Sequence, residues 1–201
     1  MIAIIDYDAG NLRSVQKALE LIGETAVITR DKSMISHAKK VILPGVGAFG
    51  EAMNKLHTYH LVDTIKEVAN SDKPFLGICL GMQLMFQGSE ESKECEGLGL
   101  LPGKILRIPD KEGIKIPHIG WNSLTIAPKA KLYKSISQEA YVYFVHSYYL
   151  HAANPQDVAA TTDYSVTIDA SVEHNNLYGC QFHPEKSGDI GLQILKNFAN
   201  L

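Results

Sequence analysis

The sequence contains no long hydrophobic run and no block of lysine and arginine. Its first apolar stretch, Ile2–Ile5, is far shorter than the roughly 20 residues of a transmembrane helix, and no basic segment of a signal peptide precedes it. Lys and Arg number 19 against 22 Asp and Glu, which gives a formal net charge of -3. Because nucleic acids and membrane surfaces are bound through clustered positive charge, we expect neither as a partner, and we expect a cytoplasmic protein.

Cysteine is scarce, and tryptophan occurs once. The three cysteines, Cys79, Cys95 and Cys180, are too few and too scattered for a disulfide framework. No His/Cys pair has the spacing of a structural zinc site, so we expect no bound metal. Apolar residues make up 45% of the 201 residues and charged residues 20%, as in ordinary globular proteins. This length and composition predict a single domain over residues 1–201 with a sizeable core.

Short apolar runs alternate with helical patterns in the first part of the chain. The predicted strands are Ile2–Ile5, Ala26–Thr29, 41–43 and 75–78. The spacing of apolar residues predicts helices over 12–22, 61–69 and 82–86, and Gly23 stops the first of them. Buried strands that alternate with helices are typical of a parallel, doubly wound α/β sheet.

The second part of the chain has many strand patterns and little helix between them. The predicted strands are 105–108, 123–126, 141–150, 158–162, 168–173 and 177–182. A final helix is predicted over 192–199. These strands favour an antiparallel arrangement that extends the parallel sheet or covers it, so the predicted fold class is α/β with an antiparallel extension.

A cysteine between two glycines follows the strand predicted at 75–78. In the segment 77–81 (GICLG), Cys79 lies between a strand and a helix, which is the layout of a nucleophile elbow with Cys in place of Ser. The glycines let a sharp turn approach the neighbouring backbone. The start of a helix favours a thiolate and leaves N–H groups free for an oxyanion. The alternative is a buried structural cysteine, because Cys is among the most buried residue types.

A histidine and a glutamate flank a proline in the segment 181–185 (QFHPE). The residue before a proline is held extended, so His183 and Glu185 project to the same side. A base oriented by a carboxylate is what a catalytic triad requires. Alone, the pair would be interpreted as a surface ion pair; together with Cys79 it indicates a Cys-His-Glu triad.

The two segments together resemble the class I, or triad-type, glutamine amidotransferases. The residues that carry this resemblance are 77–83 (GICLGMQ) and 183–185 (HPE). Further segments resemble the glutaminase subunits of imidazole glycerol phosphate synthases: 6–14 (DYDAGNLRS), 43–49 (LPGVGAF), 117–122 (PHIGWN), 143–148 (YFVHSY) and 183–187 (HPEKS). The resemblance runs over essentially the whole chain and implies a three-layer fold, with a mostly parallel central sheet flanked by helices.

The resemblance implies a role for each matching residue. Cys79 would be the nucleophile, His183 the acid and base, and Glu185 the residue that orients His183. The oxyanion would be held by the N–H of Leu80 and by a donor at Val46 or Gly47, in a segment that is otherwise an ordinary turn at the end of a strand. The residues that match glutamine-binding positions are Gln83, Glu91, His146, Ser147 and Tyr148. No cofactor is implied.

The resemblance also implies a partner. Ammonia from glutamine would pass to a (β/α)8-barrel subunit that makes imidazole glycerol phosphate and an aminoimidazole ribotide in histidine biosynthesis. The residues that match interface positions are Asn11, Trp121, Asn122, Tyr143 and Lys186. The alternatives are a core position for Trp121 and a half-buried strand position without substrate contact for His146.

The sequence is also compatible with three other functions. One is a paralogous glutaminase subunit that serves another amidation, for example on a surface sugar. Another is a scaffold of the same fold without activity, against which the intact Cys79, His183 and Glu185 argue. The third is a cysteine hydrolase of another family with the same elbow. One such family usually carries His directly after the cysteine, where this chain has Leu80.

Overall fold

The computed structural model describes residues 1–201 and contains six α-helices and twelve β-strands. The helices are α1 (Leu12–Leu21), α2 (Lys32–His37), α3 (Phe49–Thr58), α4 (Val62–Ala69), α5 (Leu80–Leu84) and α6 (Gly188–Ala199). The strands are β1 (Ile2–Ile5), β2 (Ala26–Thr29), β3 (Lys40–Gly45), β4 (Phe75–Cys79), β5 (Gly103–Arg107), β6 (His118–Ser123), β7 (Thr125–Ile126), β8 (Tyr141–His146), β9 (Tyr148–Ala152), β10 (Val158–Tyr164), β11 (Val166–His174) and β12 (Leu177–Cys180). None of the helices combines the length and the apolar character needed to cross a membrane.

One half of the main sheet is parallel, as the alternating pattern predicted. Its strands lie in the order β2, β1, β3, β4 and β12. Every residue of β1, β4 and β12 is buried. Because helices cover both faces of such a sheet, its strands are continuous apolar runs rather than alternating ones.

The other half of the sheet is antiparallel and continues from β12 through β11 and β10 to β7. Strand β9 pairs with both β11 and β5. Strands β6 and β8 form a separate two-stranded sheet, in which His118 is paired with His146 and Trp121 with Tyr143. The later strands therefore mostly extend the sheet, as predicted, and two of them form a sheet of their own.

Several predicted boundaries were wrong. The strand predicted at 141–150 is broken at Ser147, so that its two parts pair with different strands. The strand predicted at 123–126 is the end of β6 and the short β7. Helices α2 and α3 were not predicted; α2 has six residues and buries only Ile35, so it carries little periodic signal. Helix α5 begins at Leu80, directly after Cys79, and not at residue 82.

Apolar side chains form one core on each face of the sheet. Helices α1 and α6 cover one face through residues such as Leu19 and Phe198. Helices α2, α3 and α4 cover the other face, where Phe49 and Ile65 are completely buried. Side chains alternate between the two faces along each strand, which is why neighbouring residues of β1 belong to different cores.

The carboxyl ends of three neighbouring parallel strands meet at one edge of the sheet. Gly45 at the end of β3 is paired with Cys79 at the end of β4, and β4 is paired with β12, which ends at Cys180. In open α/β sheets, ligands bind outside the carboxyl ends of the strands. This edge is therefore the first place to look for a functional site.

Replacing Gly81 with Ala should destabilise the fold. A Cβ atom at Gly81 would overlap the backbone carbonyl oxygen of Leu43, which cannot move without disturbing β3. We expect a loss of at least about 2 kcal/mol in the free energy of unfolding, measured by urea denaturation. Gly88→Ala is the matched control, because the nearest atom to its added Cβ is 3.7 Å away. Equal unfolding midpoints for the two variants would contradict this account.

Candidate active site

Cys79 occupies a strained turn between β4 and α5. Its backbone has φ of 54° and ψ of -113°, and it is the residue that precedes the first turn of α5. Residues other than glycine rarely adopt a positive φ, and such a conformation costs on the order of 1–3 kcal/mol. The strand, the sharp turn and the helix reproduce the geometry of a nucleophile elbow, which presents a side chain at the edge of the sheet.

Close packing requires glycine at positions 77 and 81, two residues before and two residues after Cys79. A Cβ at Gly77 would lie 2.7 Å from the backbone of Met82, so the turn and the helix fit only without a side chain there. A Cβ at Gly81 would overlap Leu43. The glycine pattern of the sequence thus corresponds to close contacts around Cys79, as the elbow interpretation requires.

His183 and Glu185 follow β12 and lie together beside Cys79. The Nδ1 atom of His183 is 2.8 Å from Oε1 of Glu185, and their side chains are 2% and 1% exposed. The amide of Asn11 donates a hydrogen bond to the same Glu185 oxygen. Residues 184–186 form a short 3-10 turn, so the extended His183 and Glu185 two residues later face each other. One oxygen of the carboxylate, Oε1, is thus bound to both Asn11 and His183.

The environment of His183 favours its protonated form. Burial opposes the positive charge, but interactions with Cys79 and Glu185 outweigh it and raise the pKa of His183 from 6.5 to about 10. Its Nε2 atom, on the far side of the ring from Glu185, makes no hydrogen bond within the chain. Cys79 and His183 line the same cleft. A buried base with one nitrogen fixed and the other free is suited to proton transfer.

The turn after β3 forms the wall of the cleft opposite His183. Val46 and Gly47 both line it, and Gly47 has φ of 99° with open space where a Cβ would be. Gly45 is different, because a Cβ there would lie 2.5 Å from the Tyr7 hydroxyl. That hydroxyl donates a hydrogen bond of 2.8 Å to the Pro44 carbonyl. The start of the turn is therefore held by its packing against Tyr7, whereas the space beside Gly47 is open.

The cleft has a volume of about 480 Å³ and contains all the residues predicted to bind glutamine. They are Gln83, Glu91, His146, Ser147 and Tyr148. Leu80, predicted to contribute an oxyanion donor, also lines it. Glu91 has a structural contact in addition, because its Oε2 accepts the N–H of Phe49 at the start of α3 at 2.8 Å. This volume is in the usual range for small-molecule sites.

Three of the residues predicted at a partner interface lie next to the cleft; Trp121 and Lys186 are exposed and Tyr143 is half-buried. Trp121 is 55% exposed, so it does not occupy a core position. Its ring meets the edge of the Tyr143 ring at 6.2 Å, and Nζ of Lys186 lies 5.9 Å from the centre of that ring. Lys186 also lines the cleft. The cleft and this group of residues are therefore continuous.

The other two predicted interface residues make internal hydrogen bonds. Asn11 donates to Glu185, and the amide of Asn122 donates to the Asp163 carbonyl at 3.1 Å. Asn11 thus lies at the candidate triad, a contact that joins residues 174 positions apart. Such a contact has no local signal in the sequence.

Sequence reasoning missed three buried polar residues around the cleft: Tyr7, His118 and Gln181. Gln181 donates to Sγ of Cys79 at 3.6 Å. Its position two residues before His183 places both side chains on the same side of an extended segment, and this signal could have identified it. His118 lies in the 117–122 segment, but its contact with His146 depends on the pairing of β6 with β8.

No group of three or more His, Cys, Asp or Glu side chains is arranged to hold a metal ion, and all three cysteines are free. Cys180 is completely buried, and burial raises the pKa of its thiol. Cys95 is half-buried, and burial raises the pKa of its thiol as well. Of the three, only Cys79 lines the cleft beside His183.

Comparison with solved structures gives the same fold at low sequence identity. A crystal structure of a glutamine amidotransferase superimposes with a TM-score of 0.76 at 17% identity, covering 99% of this chain and 100% of the other. PurLQS from Thermotoga maritima superimposes with a TM-score of 0.73 at 21% identity, covering 99% and 97%. These similarities support the three-layer α/β fold.

Comparison with protein families and curated proteins identifies the family. The model of the class-I glutamine amidotransferases matches residues 3–200. The imidazole glycerol phosphate synthase subunit HisH of Bacillus thuringiensis (strain Al Hakam) is 52% identical, over 98% of this chain and 93% of that protein. The HisH subunit of Listeria innocua is 50% identical, over 98% and 94%. The chain therefore belongs to the class-I glutamine amidotransferase family and, within it, to the HisH subunits.

Proposed function

We propose that this chain is the glutaminase subunit of an imidazole glycerol phosphate synthase and that Cys79, His183 and Glu185 are its catalytic triad. The observation that carries the proposal is the buried His183–Glu185 hydrogen bond of 2.8 Å beside the strained Cys79 in one cleft. The family membership supports the same chemistry. A scaffold without activity would not require a strained cysteine next to a buried, oriented histidine.

Glutamine enters the cleft with its side-chain amide toward Cys79. Gln83, Glu91 and the segment 146–148 surround the remaining space, so they contact the amino-acid end of the substrate. The carboxylate of Glu91 supplies the negative charge that attracts an α-amino group. The backbone groups of 146–148 lie where the substrate carboxylate would be bound.

The first half-reaction forms a thioester. Sγ of Cys79 attacks the amide carbon, and the carbonyl oxygen becomes an oxyanion held by backbone N–H groups of Leu80 and of Val46 or Gly47. Nε2 of His183 holds the proton that the Cys79 thiol gave up and passes it to the nitrogen. The carbon–nitrogen bond breaks, and ammonia leaves. Glu185 keeps the imidazole in place and stabilises its charge, as the carboxylate of a triad does.

The second half-reaction releases glutamate. Nε2 of His183, now neutral, takes a proton from a water molecule that attacks the thioester carbon. The carbon–sulfur bond breaks with its electron pair on Sγ, His183 keeps the proton taken from water, and the Cys79–His183 pair is restored. The carboxylic acid that is released loses its proton to solvent and becomes glutamate. Gly47, whose φ of 99° is one that glycine adopts readily, would allow the turn to direct an N–H toward the oxyanion.

The ammonia passes to a (β/α)8-barrel partner in the same complex. The exposed Trp121, with Tyr143 and Lys186, forms the centre of the contact surface, and Asn11 and Asn122 support it from within the chain. Lys186 lies on both the surface and the cleft, so a partner bound there would be next to the released ammonia. Direct transfer matters because free ammonia becomes protonated in water and loses its nucleophilicity.

The histidine pathway is favoured over another amidation by the relatives. Two HisH subunits are at least 50% identical to this chain over nearly its whole length. We include in the proposal a single domain over residues 1–201 and a cytoplasmic location, where a biosynthetic partner would be found.

Cys79→Ala should abolish glutamine-dependent synthesis by the assembled complex but leave ammonia-dependent synthesis intact. Removal of the nucleophile prevents thioester formation, and we expect a loss of at least about a thousandfold. The partner uses added ammonia without this chain's chemistry. Cys95→Ala is the matched control and should retain both activities. Glutamine-dependent synthesis that survives in Cys79→Ala would contradict the proposed nucleophile.

The His183 imidazole should titrate near pH 10. Its raised pKa means that protonated His183 stabilises the fold fully below pH 6.5, and that this contribution is lost as the pH rises through about 10. NMR of histidine-labelled protein would show a charged His183 at pH 8, and Glu185→Gln should lower its pKa by removing an attracting charge. A wild-type His183 that titrates at its ordinary 6.5 would be incompatible with this environment.

A further inference from the structure

A continuous chain of buried polar groups leads from β6 to the sulfur of Cys79, outside the triad. We call it the histidine–amide chain. Its members, in order, are the Asn122 amide, His118, His146, the Tyr148 carbonyl, Gln83, Gln181 and Cys79 Sγ. The four side chains in its middle are each at least nine-tenths buried. No step of the proposed mechanism uses His118, and the mechanism gives no role to the imidazole of His146, which enters it only through backbone groups.

The two histidines are packed so that neither can take up a proton easily. Nδ1 of His118 is 3.0 Å from Nε2 of His146. The His118 ring is stacked between Tyr164, at 3.8 Å between ring centres, and Phe144, at 4.7 Å. Burial lowers the pKa of His118 to about 4, and burial together with nearby imidazoles lowers that of His146 to about 3. Both rings are therefore neutral at pH 7, and each carries one N–H.

The Tyr148 carbonyl fixes where those N–H groups are. A carbonyl oxygen only accepts, so His146, whose Nδ1 is 2.9 Å away, donates from Nδ1 and has a bare Nε2. His118 must then donate from its own Nδ1 to that bare nitrogen. The Nε2 of His118 accepts from the Asn122 amide at 3.4 Å. Both histidines are thus in the Nδ1–H form.

The same carbonyl orients the two glutamine side chains. Nε2 of Gln83 donates to it at 3.0 Å and also donates to Oε1 of Gln181 at 2.9 Å. The nitrogen of Gln181 therefore faces Cys79, with its Nε2 3.6 Å from Sγ. The Gln181 amide therefore presents a hydrogen-bond donor to the sulfur. Every donor in the histidine–amide chain points toward an acceptor. The Tyr148 carbonyl accepts from both His146 and Gln83, so it connects the two histidines with the two glutamines.

We propose that His118 is a positioning residue for glutamine hydrolysis: its Nδ1–H holds His146, and through the Tyr148 carbonyl it fixes the two amides that present a donor to Cys79. Without that donor, the buried Nε2 of His146 has no partner. The His146 ring would then be held on one side only, by its own Nδ1–H bond to the Tyr148 carbonyl, and could shift together with that carbonyl. The carbonyl, and with it Gln83 and Gln181, would lose its fixed place. This inference rests on the proposed glutaminase function.

The test uses His118→Phe and His118→Asn in the assembled complex. Phenylalanine keeps a flat ring between Phe144 and Tyr164 but has no donor, whereas the Asn amide nitrogen can occupy the place of Nδ1. We expect His118→Phe to lower kcat for glutamine about tenfold or more, with KM changed less than about twofold, because a small displacement of reacting groups has effects of this size. His118→Asn should recover most of kcat.

His151→Phe is the matched control, because His151 is an exposed histidine on β9, the strand that carries Tyr148. It should leave kcat unchanged, and all three variants should keep ammonia-dependent synthesis. An unchanged kcat in His118→Phe would overturn the inference. Equal losses in the Phe and Asn variants, or a rise in KM at constant kcat, would also overturn it.

A second measurement needs no variant. Long-range proton–nitrogen NMR of histidine-labelled protein at pH 7 should show His118 and His146 both neutral and both in the Nδ1–H form. An Nε2–H form of either ring would overturn the proposed order of hydrogen bonds in the histidine–amide chain. A wild-type complex that does not hydrolyse glutamine would refute the proposed function. The protonation pattern of the two rings would still decide whether the histidine–amide chain is present.

Discussion

The backbone conformation of Cys79 is the constraint on which the rest of the site depends. A positive φ in a residue with a side chain is unfavourable. The conformation persists because the surrounding packed structure holds it. Gly77 and Gly81 permit the close packing of β4, α5 and β3 around it. The sulfur is thus directed into the cleft by the fold itself, before any other residue acts on it.

The sheet order then brings the other parts of the site to that sulfur. Strand β12 is the last strand in the sequence and pairs with β4. His183 therefore lies beside Cys79 although about a hundred residues separate them. Strand β3 pairs on the other side and supplies the turn with Gly47. The separate sheet of β6 and β8 closes the cleft with His146 and carries the exposed Trp121. One edge of the sheet therefore joins the cleft to the exposed surface around Trp121.

The sequence predicted the parallel half of the fold, because each buried strand is a short apolar run next to a helical pattern. It also indicated Cys79 and His183, whose neighbours form local motifs. It did not reveal the break at Ser147, since both strands there share the same strand-forming composition and only their pairing partners differ. Contacts such as Asn11 with Glu185, or His118 with His146, link positions far apart, so they follow from strand pairing and cannot be inferred from spacing.

The central claim is that glutamine is hydrolysed through a thioester on Cys79. The most direct measurement is mass spectrometry of the assembled complex, quenched with acid during glutamine turnover and then digested. The account predicts a γ-glutamyl adduct on the peptide that contains Cys79 and none on the peptides that contain Cys95 or Cys180. An adduct on another residue, or turnover that proceeds after Cys79 has been blocked by a thiol reagent, would contradict it.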